Sequence, residues 1–197
     1  MNPEQLKAIQ ARKDRMPPIP VEQMTEAQRT AVAQFEKSRG SELFGPYVAL
    51  LRSPELMSSV ETMGEYLRFR SALPRPLNEL AILITARQWT QQLEWSIHYG
   101  EAMRAGLSPD IAEAIADGRR PHSMSGDEEI VYEFCTELLR NRRVSDRTYA
   151  RAHARFGEHG TIDMVGVAGY YTLLAMVLNT ARTPLPPGIP PPLALLP

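Results

Sequence analysis

The stretch Leu77-Asn-Glu-Leu-Ala-Ile-Leu-Ile84 is apolar nearly all round when it is drawn as a helix. A helix of this kind is normally buried against several neighbours, because every side of it carries apolar surface. Pro76 suits the first turn of a helix, where a proline gives up no intrahelical hydrogen bond. We therefore predict a buried central helix over about 77–88, with other helices packed around it.

The rest of the chain carries many helix signals and few that are typical of strands. Thr25-Glu-Ala-Gln28 and Ser125-Gly-Asp-Glu128 have the form of capping boxes. Ser53-Pro54 and Ser108-Pro109 place an N-cap hydroxyl before a proline at the first helical position. The sequence predicts a single all-α domain, a bundle of about seven to eight helices.

Other helices are predicted on both sides of this central one. One helix is expected over about 54–70, and its apolar spacing predicts a buried face made of Leu56, Val60, Met63 and Leu67. A second is expected from Gln91 to Ala105, with Gly106 as its C-terminal stop. Near the end, one helix is expected from Ser145 to about Phe156 and a separate last helix from Thr161.

Both ends of the chain are rich in proline, which favours extended backbone. We therefore predict an N-terminal arm over 1–24, a helical domain over 25–182 and a C-terminal tail over 183–197. The tail is either disordered, as termini often are, or packed over a neighbouring subunit. The second alternative rests on its apolar residues, which are Leu185, Ile189, Leu193, Leu195 and Leu196.

Composition and charge indicate which partners and which cell compartment are expected for this protein. The net charge of -1 provides no strong field for nucleic acid or an anionic membrane. The single cysteine, Cys135, excludes an internal disulfide, fits a reducing compartment and is expected to be a small core residue. Met1-Asn-Pro-Glu-Gln-Leu6 does not resemble a signal peptide, and no window of membrane-spanning length is expected. We predict a soluble, cytoplasmic protein.

Polar residues interrupt the apolar pattern around His98. At 100° per residue, Gln91, Glu94 and His98 share one face of the predicted helix. Glu79 is expensive to bury on the central helix without a partner, and a hairpin would bring it to this face. The opposite face is predicted to supply core residues, namely Leu93, Ile97 and Met103.

Two carboxylates and an imidazole in an apolar pocket suit general acid–base chemistry by His98, with a carboxylate orienting the ring. Two other interpretations stay open at this point. A glutamate and a histidine at this spacing are often a solvated surface pair. A metal site is the other alternative, although no second Glu-x-x-x-His pair supports it.

Several short stretches together resemble the carboxymuconolactone decarboxylase family, which also contains the AhpD-like alkylhydroperoxidases. They are Asn78–Leu83, Glu94–His98 and Ala105–Ser108, with a weaker likeness at Phe44–Pro54 and Gly169–Tyr171. The resemblance implies an all-helical AhpD-like fold and an active site in a pocket near subunit contacts. It also implies a homo-oligomer, a trimer or hexamer, with a dimer as the remaining alternative.

The peroxidase branch of this family has a Cys-x-x-Cys motif before its histidine, and the chain departs from it there. The two cysteine positions fall on Gln91 and Glu94, whereas the family's glutamate and histidine fall on Glu79 and His98. Peroxide reduction by disulfide cycling needs an attacking thiolate and a resolving thiol. The resemblance therefore favours the decarboxylase branch and argues against thiol peroxidase activity.

The resemblance leads to a specific prediction. A cofactor-free lyase would act on a small carboxylated or lactone metabolite, in aromatic catabolism by family analogy. His98 would deliver the proton while Glu79 or Glu94 fixes its tautomer. The predicted substrate-binding residues are Gln91, Trp95, Arg87 and Tyr170, and Arg87 or an arginine of a neighbouring subunit would hold the substrate carboxylate.

Two alternatives to the lyase remain. One is a non-catalytic oligomeric protein that kept the pocket and binds a small molecule. The other is a metalloenzyme that uses Glu79, Glu94 and His98 as ligands.

Overall fold

The computed structural model describes residues 13–194. Within this range a 3₁₀ turn, Val21–Gln23, precedes eight α-helices, and no β-strand occurs. The helices are α1 (Glu26–Arg39), α2 (Pro46–Leu50), α3 (Pro54–Phe69), α4 (Arg75–Gln88), α5 (Gln92–Ala105), α6 (Pro109–Ala116), α7 (Gly126–Asn141) and α8 (Asp146–Ala181). The predicted all-α fold is confirmed, and both predicted capping boxes form.

Helix α4 is the centre of the bundle. Every residue from 77 to 87 is buried, in agreement with the all-round apolar pattern. It packs against α5, α6, α7 and α8. Because α4 has neighbours on every side, any polar residue on it must find a partner inside the protein or stay unsatisfied.

The buried face of α3 differs from the predicted one. Val60 and Leu67 are buried as expected, but Leu56 and Met63 are 45% and 42% exposed, and Met57 and Gly64 are buried instead. Both apolar stripes contain Val60 and Leu67, so spacing alone does not separate them. Gly64 decides between them, because a Cβ there would collide with the hydroxyl of Tyr170 on α8.

The two helices predicted after Ser145 and from Thr161 form one run, α8, with a break inside it. Gly157 has φ 67° and ψ -176°, a conformation that is essentially restricted to glycine. The hydroxyl of Thr161 donates to the carbonyl oxygen of Gly157 at 2.7 Å and satisfies part of the interrupted backbone. The predicted interruption is thus present as a kink.

Helix α8 is also long and apolar enough to cross a membrane by length and composition, although no window of that length was expected from the sequence. However, 56% of its most apolar window is buried inside the domain. Packing against α3, α4 and α7 therefore accounts for its apolar character.

The C-terminal tail folds back on its own chain. Leu193 is fully buried, and its N–H donates to Oε1 of Gln92 while its carbonyl oxygen accepts from Nε2 of Gln92, both at 2.9 Å. The described part of the tail is therefore ordered against its own chain and differs from the predicted disorder, while packing over a neighbouring subunit stays a prediction. Leu195 and Leu196, like residues 1–12 of the predicted arm, lie outside the described residues.

Candidate active site

The turn between α4 and α5 brings Glu79 and His98 together. The N–H of Gln91 donates to the carbonyl oxygen of Ala86 at 2.8 Å, which folds the chain back after α4. Nδ1 of His98 then lies 2.8 Å from Oε2 of Glu79. The two residues are 6% and 5% exposed, so this polar pair is shielded from water.

The hydrogen bond determines which histidine nitrogen is available. A carboxylate only accepts, so with Glu79 ionised Nδ1 carries a proton and donates it. Nε2 is then the nitrogen left for chemistry, and it accepts a proton in the neutral ring and donates one in the imidazolium. The ring of Tyr171 meets the imidazole edge-on, with centroids 4.9 Å apart, and restricts its rotation.

Glu94 lies on the same helix as His98 and is in a different electrostatic situation. It is 4% exposed, and neither carboxyl oxygen has a hydrogen-bond partner within the described part of the chain. Burial without a partner disfavours the charged form and raises the pKa of Glu94 well above its usual range. The side chain is therefore an acid that tends to keep its proton.

Glu94 and His98 line one small cavity of about 50 Å³. A single water molecule needs a cavity of roughly 10–15 Å³, so the space admits only a group of a few atoms. Its apolar wall includes Pro46, Leu93, Ile97, Leu174 and Leu178. Leu93 and Ile97 were predicted to lie in the core on the opposite face of α5. They instead line the same cavity as Glu94 and His98.

Arg68 also lines this cavity and was not singled out from the sequence. It lies in the last turn of α3, where a basic residue is common because it complements the helix dipole. Because the helix dipole alone explains a basic residue at this position, the sequence around Arg68 does not indicate a functional site. Only the packing of α3 against α8 brings this cation to the same space as Glu94 and His98.

Three tyrosines complete the polar part of the wall. The hydroxyls of Tyr47 and Tyr170 lie 3.0 Å apart, and the rings of Tyr170 and Tyr171 meet edge to face. Burial raises the pKa of both Tyr170 and Tyr171, so they remain neutral hydroxyl groups. Tyr170, which was predicted to bind substrate, lines the cavity.

Gln91 and Trp95 have other roles. Gln91 is the N-cap of α5, and its Oε1 accepts from the N–H groups of Leu93 and Glu94 at 2.7 and 3.3 Å. Its Nε2 donates to Oδ1 of Asn179 at 2.9 Å, so its polar atoms are engaged in holding the turn. Trp95 is buried in the core beside the ring of Tyr99 and does not line the cavity.

Arg87 does not reach this site either. It lines a different and larger cavity beside the C-terminal half of α4, and that cavity shares no lining residue with the one at His98. Helix geometry gives the reason, since positions 79 and 87 lie about 12 Å apart along the axis and about 80° apart around it. Within one subunit, the geometry does not support the prediction that Arg87 holds the substrate carboxylate.

The described residues do not provide a metal-binding cluster. Among residues 13–194, no three His, Cys, Asp or Glu side chains are grouped closely enough to hold a metal ion. Glu79 and Nδ1 of His98 bind each other instead. The metalloenzyme alternative therefore has no ligand set in this part of the chain.

Cys135 lies on α7 and is fully buried. Burial raises the pKa of its thiol to about 12, which keeps the sulfur protonated and unreactive. Its place in the hydrophobic core agrees with the role predicted from the sequence.

Comparison with known proteins supports the fold. No protein-family model and no curated protein sequence matches the chain. Several solved structures do match, among them the crystal structure of an alkylhydroperoxidase AhpD core, an uncharacterized peroxidase-related protein from Ralstonia eutropha. That match has a TM-score of 0.68 and 12% sequence identity, and covers 85% of this chain and 89% of the other. The chain therefore has an AhpD-like fold.

Proposed function

We propose that this protein is a cofactor-free acid–base enzyme that acts as a lyase on a small carboxylated or lactone-like metabolite. Decarboxylation is the reaction that fits best, and a related isomerisation would use the same groups. The observation that carries the proposal is the buried hydrogen bond of 2.8 Å between Glu79 and Nδ1 of His98, beside a cavity that also contains Glu94 and Arg68.

The Glu79–His98 pair suits proton transfer. Glu79 holds the imidazole in one orientation and stabilises the imidazolium when Nε2 takes up a proton. Shielding from water strengthens this interaction, because the surrounding dielectric constant is low. His98 is thus a catalytic residue in the proposed reaction, and Glu79 is a positioning residue.

Arg68 and Glu94 have complementary parts in this proposal. Arg68 is the cation at the cavity, and its guanidinium would bind a carboxylate or an enolate oxygen of the substrate. Glu94 in its protonated form would donate a hydrogen bond to a substrate oxygen, as a buried neutral carboxylic acid can. A contact with an enolate oxygen becomes stronger as negative charge moves from the departing carboxylate onto that oxygen, whereas a contact with the carboxylate itself positions the substrate.

The proposed decarboxylation breaks the bond between the substrate carboxyl carbon and its neighbour. Carbon dioxide leaves, and the electron pair of that bond is delocalised into the unsaturated system of the substrate. Nε2–H of the His98 imidazolium then transfers its proton to a carbon atom, and water restores the proton on His98. The sequence has one cysteine, so disulfide-cycling peroxide reduction would lack its second thiol.

The size of the cavity restricts how a substrate would bind. About 50 Å³ holds a carboxylate or a few ring atoms, whereas sites for whole small molecules usually span about 300–1,000 Å³. Phe44 and Ile97 line the cavity and are 42% and 37% exposed, so they form its outer rim. We expect the reacting group to enter between them while the rest of the substrate stays outside.

The proposal is tested by turnover of carboxymuconolactone, followed as release of carbon dioxide. His98→Asn should lower kcat by about 10²-fold or more, the usual range for loss of a general acid. Glu79→Gln keeps the shape of the pair and should lower kcat less while moving the pH profile of kcat. His122→Asn is the matched control, because His122 is exposed and outside the cavity.

Full turnover in His98→Asn would refute the assignment of the proton donor. The alternative function, small-molecule binding without catalysis, is favoured by the narrow cavity and by the replacement of both cysteine positions. Tight binding of the lactone to the wild-type protein, with no carbon dioxide released, would support that alternative.

A further inference from the structure

A second cavity opens beside the C-terminal half of α4, between that helix, α7 and the segment that comes after α6. It has a volume of about 370 Å³, which is within the range of small-molecule sites. Ile84, Ile115 and Leu139 supply apolar wall, while Thr136 supplies a hydroxyl group. Nothing in the acid–base chemistry at His98 uses this space.

The unusual feature of the second cavity is Arg87. Only 5% of this residue is exposed, and all three guanidinium nitrogens are buried without a hydrogen-bond partner in the described part of the chain. A buried charge without a partner is strongly unfavourable, so guanidinium groups inside proteins are normally paired. An anionic partner in the adjoining cavity would supply the missing hydrogen bonds.

The other charged residues around the second cavity have the same sign. Arg119 and Arg140 line it together with Arg87, and no aspartate or glutamate is among its lining residues. Burial lowers the pKa of Arg87, and Asp117 only partly opposes this effect, since its carboxylate is bound to Arg119 at 2.8 Å. The second cavity is therefore a cationic space within a chain whose net charge is -1.

We propose that the second cavity binds a small organic anion, with its carboxylate or phosphate group on Arg87 and a short apolar body against Ile84, Ile115 and Leu139. The guanidinium presents paired N–H donors that match two oxygens of either group. Arg140, which is exposed, lies at the rim and would attract the anion as it enters. This site is separate from the proposed lyase site and does not depend on it.

The test is calorimetric titration of the full chain with benzoate and with phenyl phosphate, and benzyl alcohol serves as the uncharged probe. We expect saturable binding of at least one anion and none of the alcohol. Arg87→Met should weaken the binding by about ten- to a hundredfold, the loss expected for hydrogen bonds to a charged group. Comparison of the two anions decides between a carboxylate and a phosphate ligand.

Arg147→Met is the matched control, because it removes the same charge from an exposed position outside the cavity. It should bind the anions as the wild type does. Should Arg87→Met fail to fold, Arg140→Met at the rim provides the second variant, with a smaller but measurable loss of affinity.

Three results would overturn the proposal. The first is the absence of saturable binding by both anions, and the second is equal binding of benzyl alcohol. The third is unchanged affinity in Arg87→Met, which would locate the anion elsewhere, for example at Arg68. If Arg87→Met instead dissociates an oligomer while neither anion binds the wild type, the partner of Arg87 is a carboxylate of a second copy, and the proposal is equally refuted.

Discussion

Two glutamates on α5 illustrate how differently one side chain behaves in two environments. Glu94 is buried without a partner in the described part of the chain, and burial raises its pKa. Glu101 binds Arg104 and Arg75 near the surface, and these hydrogen bonds lower its pKa. The two residues therefore make opposite contributions to the pH dependence of stability.

The expected effect of Glu94→Gln is a consequence of proton linkage. In the unfolded chain this carboxyl titrates near about pH 4.3, whereas the folded protein holds the proton to higher pH. The contribution of Glu94 to the free energy of unfolding should therefore fall as pH rises above about 4.3, until the folded pKa is passed. Glu94→Gln removes that loss. The free energy of unfolding of the variant, relative to that of the wild type, should therefore rise by about 1.4 kcal/mol per pH unit in this window.

Urea unfolding of both proteins between pH 4 and pH 8 measures this difference. The amide can also change the free energy of unfolding by a constant amount, but only the change of the difference with pH tests the prediction. Glu101→Gln is the control on the same helix. Its pKa is lowered, so its stabilising contribution is present above about pH 4.3 and is lost below it as pH falls through the folded pKa. Parallel curves for wild type and Glu94→Gln would show that Glu94 titrates normally.

At the scale of single residues, the sequence predicted some of the site and missed other parts. Glu79 stood out because a carboxylate on an all-round apolar helix needs a partner, and that partner is His98. Gln91 was placed on the polar face of α5, but it is the cap, one residue before the helix begins. Element boundaries depend on local turn geometry, which periodicity does not resolve.

At the scale of elements, Gly157 decides the course of α8. Its positive φ breaks the helix between the part that forms ion pairs with α7 and the part that carries Tyr170 and Tyr171. The sequence showed two helix starts here, and the two helices are joined through this single glycine. The kink therefore sets the direction from which two tyrosines approach the cavity.

We expect Gly157→Ala to lower the free energy of unfolding by about 1–3 kcal/mol, because a Cβ is strained in this backbone conformation. Equilibrium urea unfolding provides the measurement. Gly126→Ala is the control, since Gly126 is the first residue of α7 and an added Cβ would meet nothing within 4 Å. That variant should be neutral or more stable. Equal effects of the two substitutions would contradict the role given to the kink.

At the scale of the whole molecule, the two ends of the described chain converge on the end of α8 and the start of α5. The N–H of Arg15 donates to the carbonyl oxygen of Ala181 at 2.8 Å. On the other side, Gln92 holds both backbone groups of Leu193. The tail therefore covers apolar surface of its own subunit, and the packing of one residue anchors it.

Leu193→Ala should release the tail. The side chain is fully buried, and truncation of a buried leucine usually costs about 2–5 kcal/mol. Because the tail is terminal, the lost stabilisation should let the tail open locally while the domain stays folded. Amide hydrogen exchange at residue 193 should then be faster by about tenfold or more. Ile189→Ala, at a position that is 39% exposed on the same tail, should leave that rate nearly unchanged. Slow exchange in Leu193→Ala would contradict the anchoring.

The homo-oligomeric state and the cytoplasmic location stay predictions at this scale. Exposed apolar residues on α3 and α8, among them Leu56, Met63, Ile162 and Val165, are compatible with subunit contacts. Sedimentation analysis of the full chain would measure the number of subunits.

Sequence patterns were enough to predict the all-helical class, the buried central helix, the capping boxes and a buried group made of Glu79, Glu94 and His98. These depend on periodicity, on residue propensity and on the cost of burying a lone carboxylate, all of which are local properties of the chain. Packing between helices determined which glutamate binds His98, which stripe of α3 is buried, that Arg68 joins the site and that Arg87 faces a second cavity. Each of these depends on contacts between different helices, and side-chain spacing along one helix carries no information about its neighbours.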